Sequence, residues 1–300
     1  MPHDYLLCGL IVRSDFALPE LVPAPPGSTA APDVTITAGS LPDRLAEDGG
    51  PARMLTVAPD GTVLLTMPER VRLMVRDGRS IVADIDPAND GDWRLMLLGP
   101  ALGLLMHQRG LFPLHAASLR IGDTTIAIAG ISGAGKSTLT HGLMRRGATL
   151  LSDDLTVVDT QSDTIAVTPA FPRLKLWRDA VEAAGDTAEG LPRIREGLDK
   201  FDLQPAHAFD PAPSPLSAIV LLEWSESAVS LNRLAPTVAV PALIEQVARL
   251  PTAIRMGRKP MLMRQAGALA GRVPVHRLER PRAFDRFDEA AAAVMALAGR

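Results

Sequence analysis

The run Gly130-Ile131-Ser132-Gly133-Ala134-Gly135-Lys136-Ser137 constrains this chain more than any other segment. It fits the spacing G-x-x-x-x-G-K-[ST], and it lies between an apolar stretch, Ile126 to Ala129, and a stretch with Leu139 and Leu143 at helical spacing. A strand, a glycine loop and a helix are therefore expected in that order. Glycines let successive backbone N–H groups turn inward, and the start of a helix near Gly135 presents its positive end, so the loop is built to hold phosphates. Lys136 would reach the β- and γ-phosphates, and the Ser137 hydroxyl would bind Mg²⁺. A nucleoside triphosphate is expected to lie along Gly130, Ser132, Gly133, Ala134, Gly135, Lys136, Ser137 and Thr138. The bland alternative is a glycine-rich turn with a solvated lysine. Four fixed residues and both flanking elements speak against it.

The rest of the chain falls into two rhythms. Short β-branched or alternating runs fill the first ninety or so residues, and Asp60-Gly61 and Asp77-Gly78 mark hairpins between them. Val22 to Thr29, with three prolines and Gly27, reads as a surface loop. From Leu95 to Arg109 the spacing suits a helix interrupted near Gly99-Pro100 and capped by Gly110. After Leu111, strands lead into helices. The spacing predicts strands at Ala116–Ile121, Ile126–Ala129, Thr149–Leu151, Thr164–Val167, Ala218–Leu222 and Val273–Leu278. Helices are expected at Gly135–Arg146, ended by Gly147, and at Val240–Ala248 and Phe284–Ala298. Strand, glycine loop, helix, strand opens an α/β unit with a right-handed crossover. Gly185 to Pro215, rich in charge and proline, reads as a long, partly mobile excursion that covers or approaches the loop. Two domains follow: a β-rich region over residues 1–95, expected to help bind an acceptor through exposed strand edges, and an α/β region over 96–300.

Composition narrows the partners. The 31 basic and 34 acidic side chains are mixed along the chain, so neither a nucleic-acid nor an anionic membrane partner is expected. Cys8 is the only cysteine, which excludes an internal disulfide and a cysteine-based zinc site. Met1 to Tyr5 lacks a signal-peptide pattern, and the apolar run Leu95–Met106, broken by Gly99, Pro100 and Gly103, is too short to span a bilayer. A cytoplasmic location is expected. Oligomeric state is left open, a homo-oligomer included.

A phosphate loop names no reaction. Ser152-Asp153-Asp154 ends the strand after the loop's helix, where the carboxyl end of a parallel strand opens onto a ligand crevice. One carboxylate there can hold the metal, usually through water, and the other can take a proton from an incoming hydroxyl. Either can instead be a turn residue. His115 follows the apolar stretch Leu111–Leu114, a setting in which a lone histidine is commonly a satisfied core residue. Arg173, Lys175, Arg193, Arg195 and Lys200 can supply positive charge to a transferring phosphoryl group, Arg173 and Lys200 foremost. The acids among them also allow solvated pairs. Trp177 reads as core, and Arg258-Lys259 as a surface loop.

These residues resemble the catalytic domain of the HPr kinase/phosphorylase family. The resemblance rests on Leu114-His115-Ala116, the loop Gly130–Ser137, Arg145-Arg146-Gly147-Ala148, and Leu151-Ser152-Asp153-Asp154, and covers Leu111 to Val158 well. At 300 residues, with Arg109 to His115, Phe171 to Trp177, Lys200 and Val273-Pro274-Val275, the chain looks like the kinases found beside lasso-peptide biosynthesis enzymes, which phosphorylate a precursor serine. The resemblance implies a P-loop kinase fold of the HPr kinase C-terminal type, preceded by the β-rich region. It also implies an ATP- and Mg²⁺-dependent serine kinase acting on a peptide or protein. Asp153 would be the base, His115 would lie near the transferred phosphoryl group, and Ser137 and Asp154 would hold the metal.

The chain also departs from that family. After the Asp pair the family carries an acid beside an R-G pair, whereas Phe171-Pro172-Arg173-Leu174 keeps only the arginine. The second metal ligand, and with it the reverse phosphorolysis, is thereby in doubt. The P-G-R-N signature is absent too, so recognition of HPr itself is not expected. A kinase for a small hydroxylated molecule, and a regulatory module that binds nucleotide without transferring phosphate, remain the competing readings. The Asp pair weighs against the second, because binding alone needs no base.

Overall fold

The structure, a computed structural model, describes residues 2–25, 31–45, 54–67, 71–86, 92–183, 187–194, 197, 199–203, 209–226, 228–282 and 286–299. It is a mixed α/β protein with several sheets. Two compact units emerge, Met1–Pro113 with Ala248–Leu262, and Leu114–Val247 with Met263–Arg300. This division falls at Pro113 rather than near residue 95, so the apolar helical stretch before Gly110 goes with the first unit, as does the return segment Ala248–Leu262.

The first unit is built on strands β1 (His3–Leu7), β2 (Leu10–Ser14), β3 (Val22–Pro23), β4 (Val34–Ala38), β5 (Leu55–Val57), β6 (Val63–Met67), β7 (Val71–Arg76) and β8 (Ser80–Ile85). They form one sheet in the order β3-β1-β2-β4-β8-β7-β6-β5. Alternation decides which face is buried: Val71, Leu73 and Val75 point inward while Arg72 and Met74 do not. At Asp77-Gly78 both residues have positive φ, 56° and 63°, as a tight two-residue hairpin turn demands. Helices α1 (Asp92–Met96) and α2 (Leu102–Gln108) flank a wider π-type turn, Leu97–Ala101, that contains Pro100. The proline removes one helical donor, and the backbone widens instead of breaking. Gln108 joins both hairpins, accepting from Gly78 N–H and donating to Gly61 and Val75 carbonyls.

The chain leaves this unit through β9 (Phe112–Leu114). Within the second unit lie β10 (Ala116–Ile121), β11 (Thr124–Ala129), α3 (Lys136–Met144), β12 (Thr149–Ser152), β13 (Thr156–Asp159), β14 (Ala166–Thr168), β15 (Leu174–Trp177), α4 (Arg178–Ala183), β16 (Lys200–Leu203), β17 (Ser214–Trp224), β18 (Ser230–Arg233) and α5 (Pro236–Glu245). After α6 (Leu250–Arg255) and α7 (Lys259–Arg272) come β19 (Val275–Arg280) and α8 (Phe287–Met295). The main sheet runs β12-β10-β11-β17-β14-β13, and β19 pairs with the later half of β17 and with β18. Strands β11, β17 and β19 are parallel neighbours. Strand β10 is antiparallel to both β11 and β12, so these two run the same way with one strand between them.

Helices α3 and α8 cover one face of this sheet. Their Leu139, Leu143, Ala290, Ala291 and Val294 share a buried cluster with Ile126, Ile128, Val220 and Leu222. The two helices approach closely at Gly142, where an added Cβ would lie 2.2 Å from the Phe287 ring. The β15–β16 hairpin and α4 form a separate small core of Leu174, Leu176, Ala180, Val181 and Phe201 with Leu150.

Several sequence expectations are corrected. Trp177 is not core: it is 48% exposed, because Leu174 and Leu176 take the inward side of β15. Lys259 begins α7 instead of lying in a loop, and the helix buries Leu262, Ala266 and Leu269 at helical spacing. Val22-Pro23 pairs with β1, while 26–30 lie outside the described residues. The excursion from Gly185 to Pro215 contains β16 and the start of β17, and its residues 185, 186, 195, 196, 198 and 204–208 lie outside the described set, Arg195 among them. The expected start of the last helix at Phe284 also lies outside it, and the observed helix begins at Phe287. No described helix is long and apolar enough to cross a membrane.

Candidate active site

The glycine loop leaves the carboxyl end of β11 and enters α3, with Gly135 as the residue before the helix. Gly133 and Gly135 have φ of 81° and 82°, a region that glycine enters without a Cβ penalty. Space is also short at Gly135, where an added Cβ would lie 2.4 Å from Arg280 Nη2. Ile131, Ser132 and Gly133 are exposed, whereas Ala134 and Lys136 are buried. Lys136 folds beneath the loop, donating from Nζ to the Gly130 carbonyl at 2.8 Å and to that of Ile131 at 3.3 Å. Burial holds its ammonium below the usual range, against the pull of Asp154 and Asp153.

The sheet explains why two carboxylates stand beside this loop. Since β11 and β12 run the same way on either side of β10, their carboxyl ends open at one edge. Asp153 follows β12 there and is buried. Its Oδ1 accepts from Ser137 Oγ at 3.2 Å, and its Oδ2 from the Lys175 backbone N–H at 2.9 Å. Burial and the neighbouring Asp154 charge push its carboxyl up to about 7. Asp154 has φ 63°, a left-handed conformation that aspartate tolerates better than most residues. Its Oδ2 meets Lys175 Nζ at 2.9 Å. Burial pushes Asp154 up too, but Lys175 and Lys200 outweigh it and hold this carboxyl well below the usual range. Ser137 thus touches Asp153, and the Asp154 carboxylate, expected to share the metal with Ser137, is instead bonded to Lys175.

His115 precedes β10, whose first residue, Ala116, pairs with Ala129 immediately before the loop. Its N–H donates to the Gln246 carbonyl at 2.7 Å, and the imidazole is close enough to Asp154 to help lower that carboxyl. Lys200, opposite Trp177 in the β15–β16 hairpin, adds its charge to Lys136, Asp153 and Asp154. Its Nζ lies 5.7 Å from the Trp177 ring centroid. Arg173 is placed differently: its Nε pairs with Asp202 Oδ2 at 2.9 Å, both side chains buried, so its charge is already matched within the hairpin.

Lys136, Ser137, Asp153, Asp154, His115 and Lys200 are therefore gathered at one edge of the sheet. Two more residues join them. Lys175, one of the basic residues that the sequence offered as charge for a phosphoryl group, bonds to both aspartates, through its backbone N–H to Asp153 and its Nζ to Asp154. The second was not singled out by sequence reasoning. Arg280, the last residue of β19, is buried and donates from Nη2 to the Ala134 carbonyl at 2.8 Å, bracing the loop from the other flank. Burial lowers its pKa to about 10. A strand-end arginine more than a hundred residues from the loop carries no local signal.

No protein-family model matches the chain. No curated protein matches it. Among solved structures, the chain is similar to the HPr(Ser) kinase/phosphatase from Coxiella burnetii, with 14% identity and a TM-score of 0.34 over 62% of this chain and 93% of that one.

Proposed function

We propose that this protein is an ATP-dependent kinase that transfers the γ-phosphoryl group to a serine hydroxyl of a peptide or protein, with lasso-peptide precursors as the acceptors that the sequence resemblance implies. One observation carries the reading: Lys136 and Ser137 open the helix after the glycine loop while Asp153 stands 3.2 Å from Ser137 Oγ.

The residues fit the groups that such a reaction needs. The exposed loop, with its two left-handed glycines, leaves backbone N–H groups and a helix N-terminus for phosphate oxygens. Lys136 would turn from its carbonyls to a phosphate as a point charge. Ser137 Oγ offers one hard oxygen at the head of the helix, which leaves most of a magnesium octahedron to water and phosphate and leaves Asp153 for the proton. Mg²⁺, when bound, would neutralise charge building on the phosphates. Asp154 would reach the same point only by leaving Lys175.

In the transfer, the bond from the γ-phosphorus to its bridging oxygen breaks and one to the serine oxygen forms. Asp153 accepts the hydroxyl proton, and its pKa near neutrality suits a general base. Lys175 and Lys200 concentrate positive charge where the phosphoryl group passes, and His115 borders the same space. A module that only binds nucleotide would not need a buried carboxylate held at such a pKa. The acceptor is tested by incubating the protein with ATP, Mg²⁺ and serine-containing peptides and reading phosphoryl addition by mass. A serine-to-alanine peptide should take up none, and transfer to small alcohols alone would favour the small-molecule reading.

A further inference from the structure

We propose that Trp224 is the stacking platform for the base of the nucleotide, an inference that rests on the phosphate-loop reading. Strand β17 lies directly beside β11 and parallel to it, with Leu221 level with Ala129. Trp224 thus stands three residues further along, at the height of the loop. Its indole borders Gly135, since a Cβ there would lie 3.7 Å from the ring. The aspartates flank the loop through β12 on one side, and Trp224 flanks it through β17 on the other. A triphosphate whose γ end meets Lys136, Ser137 and Asp153 leaves its nucleoside end toward that second flank.

The ring is half-buried and prepared for a planar partner. Arg280, paired with it across the strands, sets its guanidinium carbon 4.5 Å from the ring centroid while donating to the loop carbonyl of Ala134. Arg282, which is exposed, sets its own at 5.2 Å. Guanidinium planes and nucleobases stack on the same aromatic surface, so a base can take the place of Arg282, with Arg280 remaining as the fixed support. A platform without base-edge donors discriminates weakly among bases, because every base has a π-face.

Binding of ATP and of inorganic triphosphate to the full chain separates this idea from the one beneath it. Trp224→Leu, which keeps apolar bulk against Arg280, should weaken ATP binding by about 5- to 150-fold and leave triphosphate affinity unchanged. Trp224→Phe should bind ATP within a few-fold of the parent. ATP and GTP should quench tryptophan emission in the parent, and triphosphate should not. Unchanged ATP affinity in Trp224→Leu, or an equal loss of ATP and triphosphate, would overturn the platform while leaving the loop in place. Failure of the parent to bind either ligand would instead overturn the phosphate-loop reading.

Discussion

Ser137 and Asp153 are joined by a hydrogen bond across two elements that the sequence separates by a whole helix and strand. This pair makes the glycine loop a candidate reaction centre, since it sets the alcohol that opens the helix against a buried carboxylate. Asp153→Asn keeps size and polarity but cannot take a proton. Turnover should fall by roughly 10²- to 10⁴-fold with ATP affinity nearly unchanged. Asp154→Asn should cost less, because the lost contact is one ion pair to Lys175. Kinetics and ATP binding on both variants check this; a larger loss in turnover from Asp154→Asn would reverse the assignment of roles.

The same carboxyl makes stability depend on pH in the metal- and nucleotide-free protein. With its pKa raised to about 7, Asp153 takes up a proton on folding between the ordinary carboxylate range and neutrality. Its contribution therefore falls as pH rises through that window, and the full cost is present above it. Asp154, held low by Lys175 and Lys200, acts oppositely and loses its contribution only in acid below the ordinary range. Asp153→Asn should then melt higher than the parent at pH 8, by on the order of a few °C, with the gap closing toward pH 5. A gap that widens in acid would contradict the assigned burial.

Arg280 ties β19 to the loop through a buried, charge-assisted hydrogen bond. Arg280→Met should destabilise the protein by roughly 1.5–3 kcal/mol in urea unfolding and weaken triphosphate binding. Lysine should not restore it, because a point charge lacks the planar fork that both stacks on Trp224 and reaches Ala134.

At Gly142 the helices α3 and α8 touch without room for a methyl group. Gly142→Ala should cost about 1–3 kcal/mol through overpacking against Phe287. Combining it with Phe287→Leu should recover part of the loss, as a double-mutant cycle would show.

What sequence revealed and what it hid follow one physical line. Local requirements were legible. The Asp77-Gly78 hairpin shows because positive φ demands those residues, the loop because its spacing is chemical, and an irregularity at Pro100, though not that it widens the helix instead of interrupting it, because a proline cannot donate. Strand β10 has its expected bounds because its apolar run is short and punctuated by turn residues. Hidden were properties of the sheet as a whole. Nothing local places β10 between β11 and β12, or brings Arg280 and Trp224 to the loop's other flank. Trp177 misled because an indole can also face outward beside a lysine. The pairing of Arg173 with Asp202 was hidden as well, because that partner is set by strand pairing rather than by sequence distance.

The central claim is that Lys136 and the loop around it hold the phosphates of a nucleotide. Calorimetric titration of ATP with Mg²⁺ into the parent and into Lys136→Ala, with unfolding curves recorded alongside, tests it most directly. The account predicts saturable ATP binding in the parent, a loss of at least about tenfold in the variant, and an unfolding midpoint that moves little. Equal ATP affinity in the two folded proteins would contradict it.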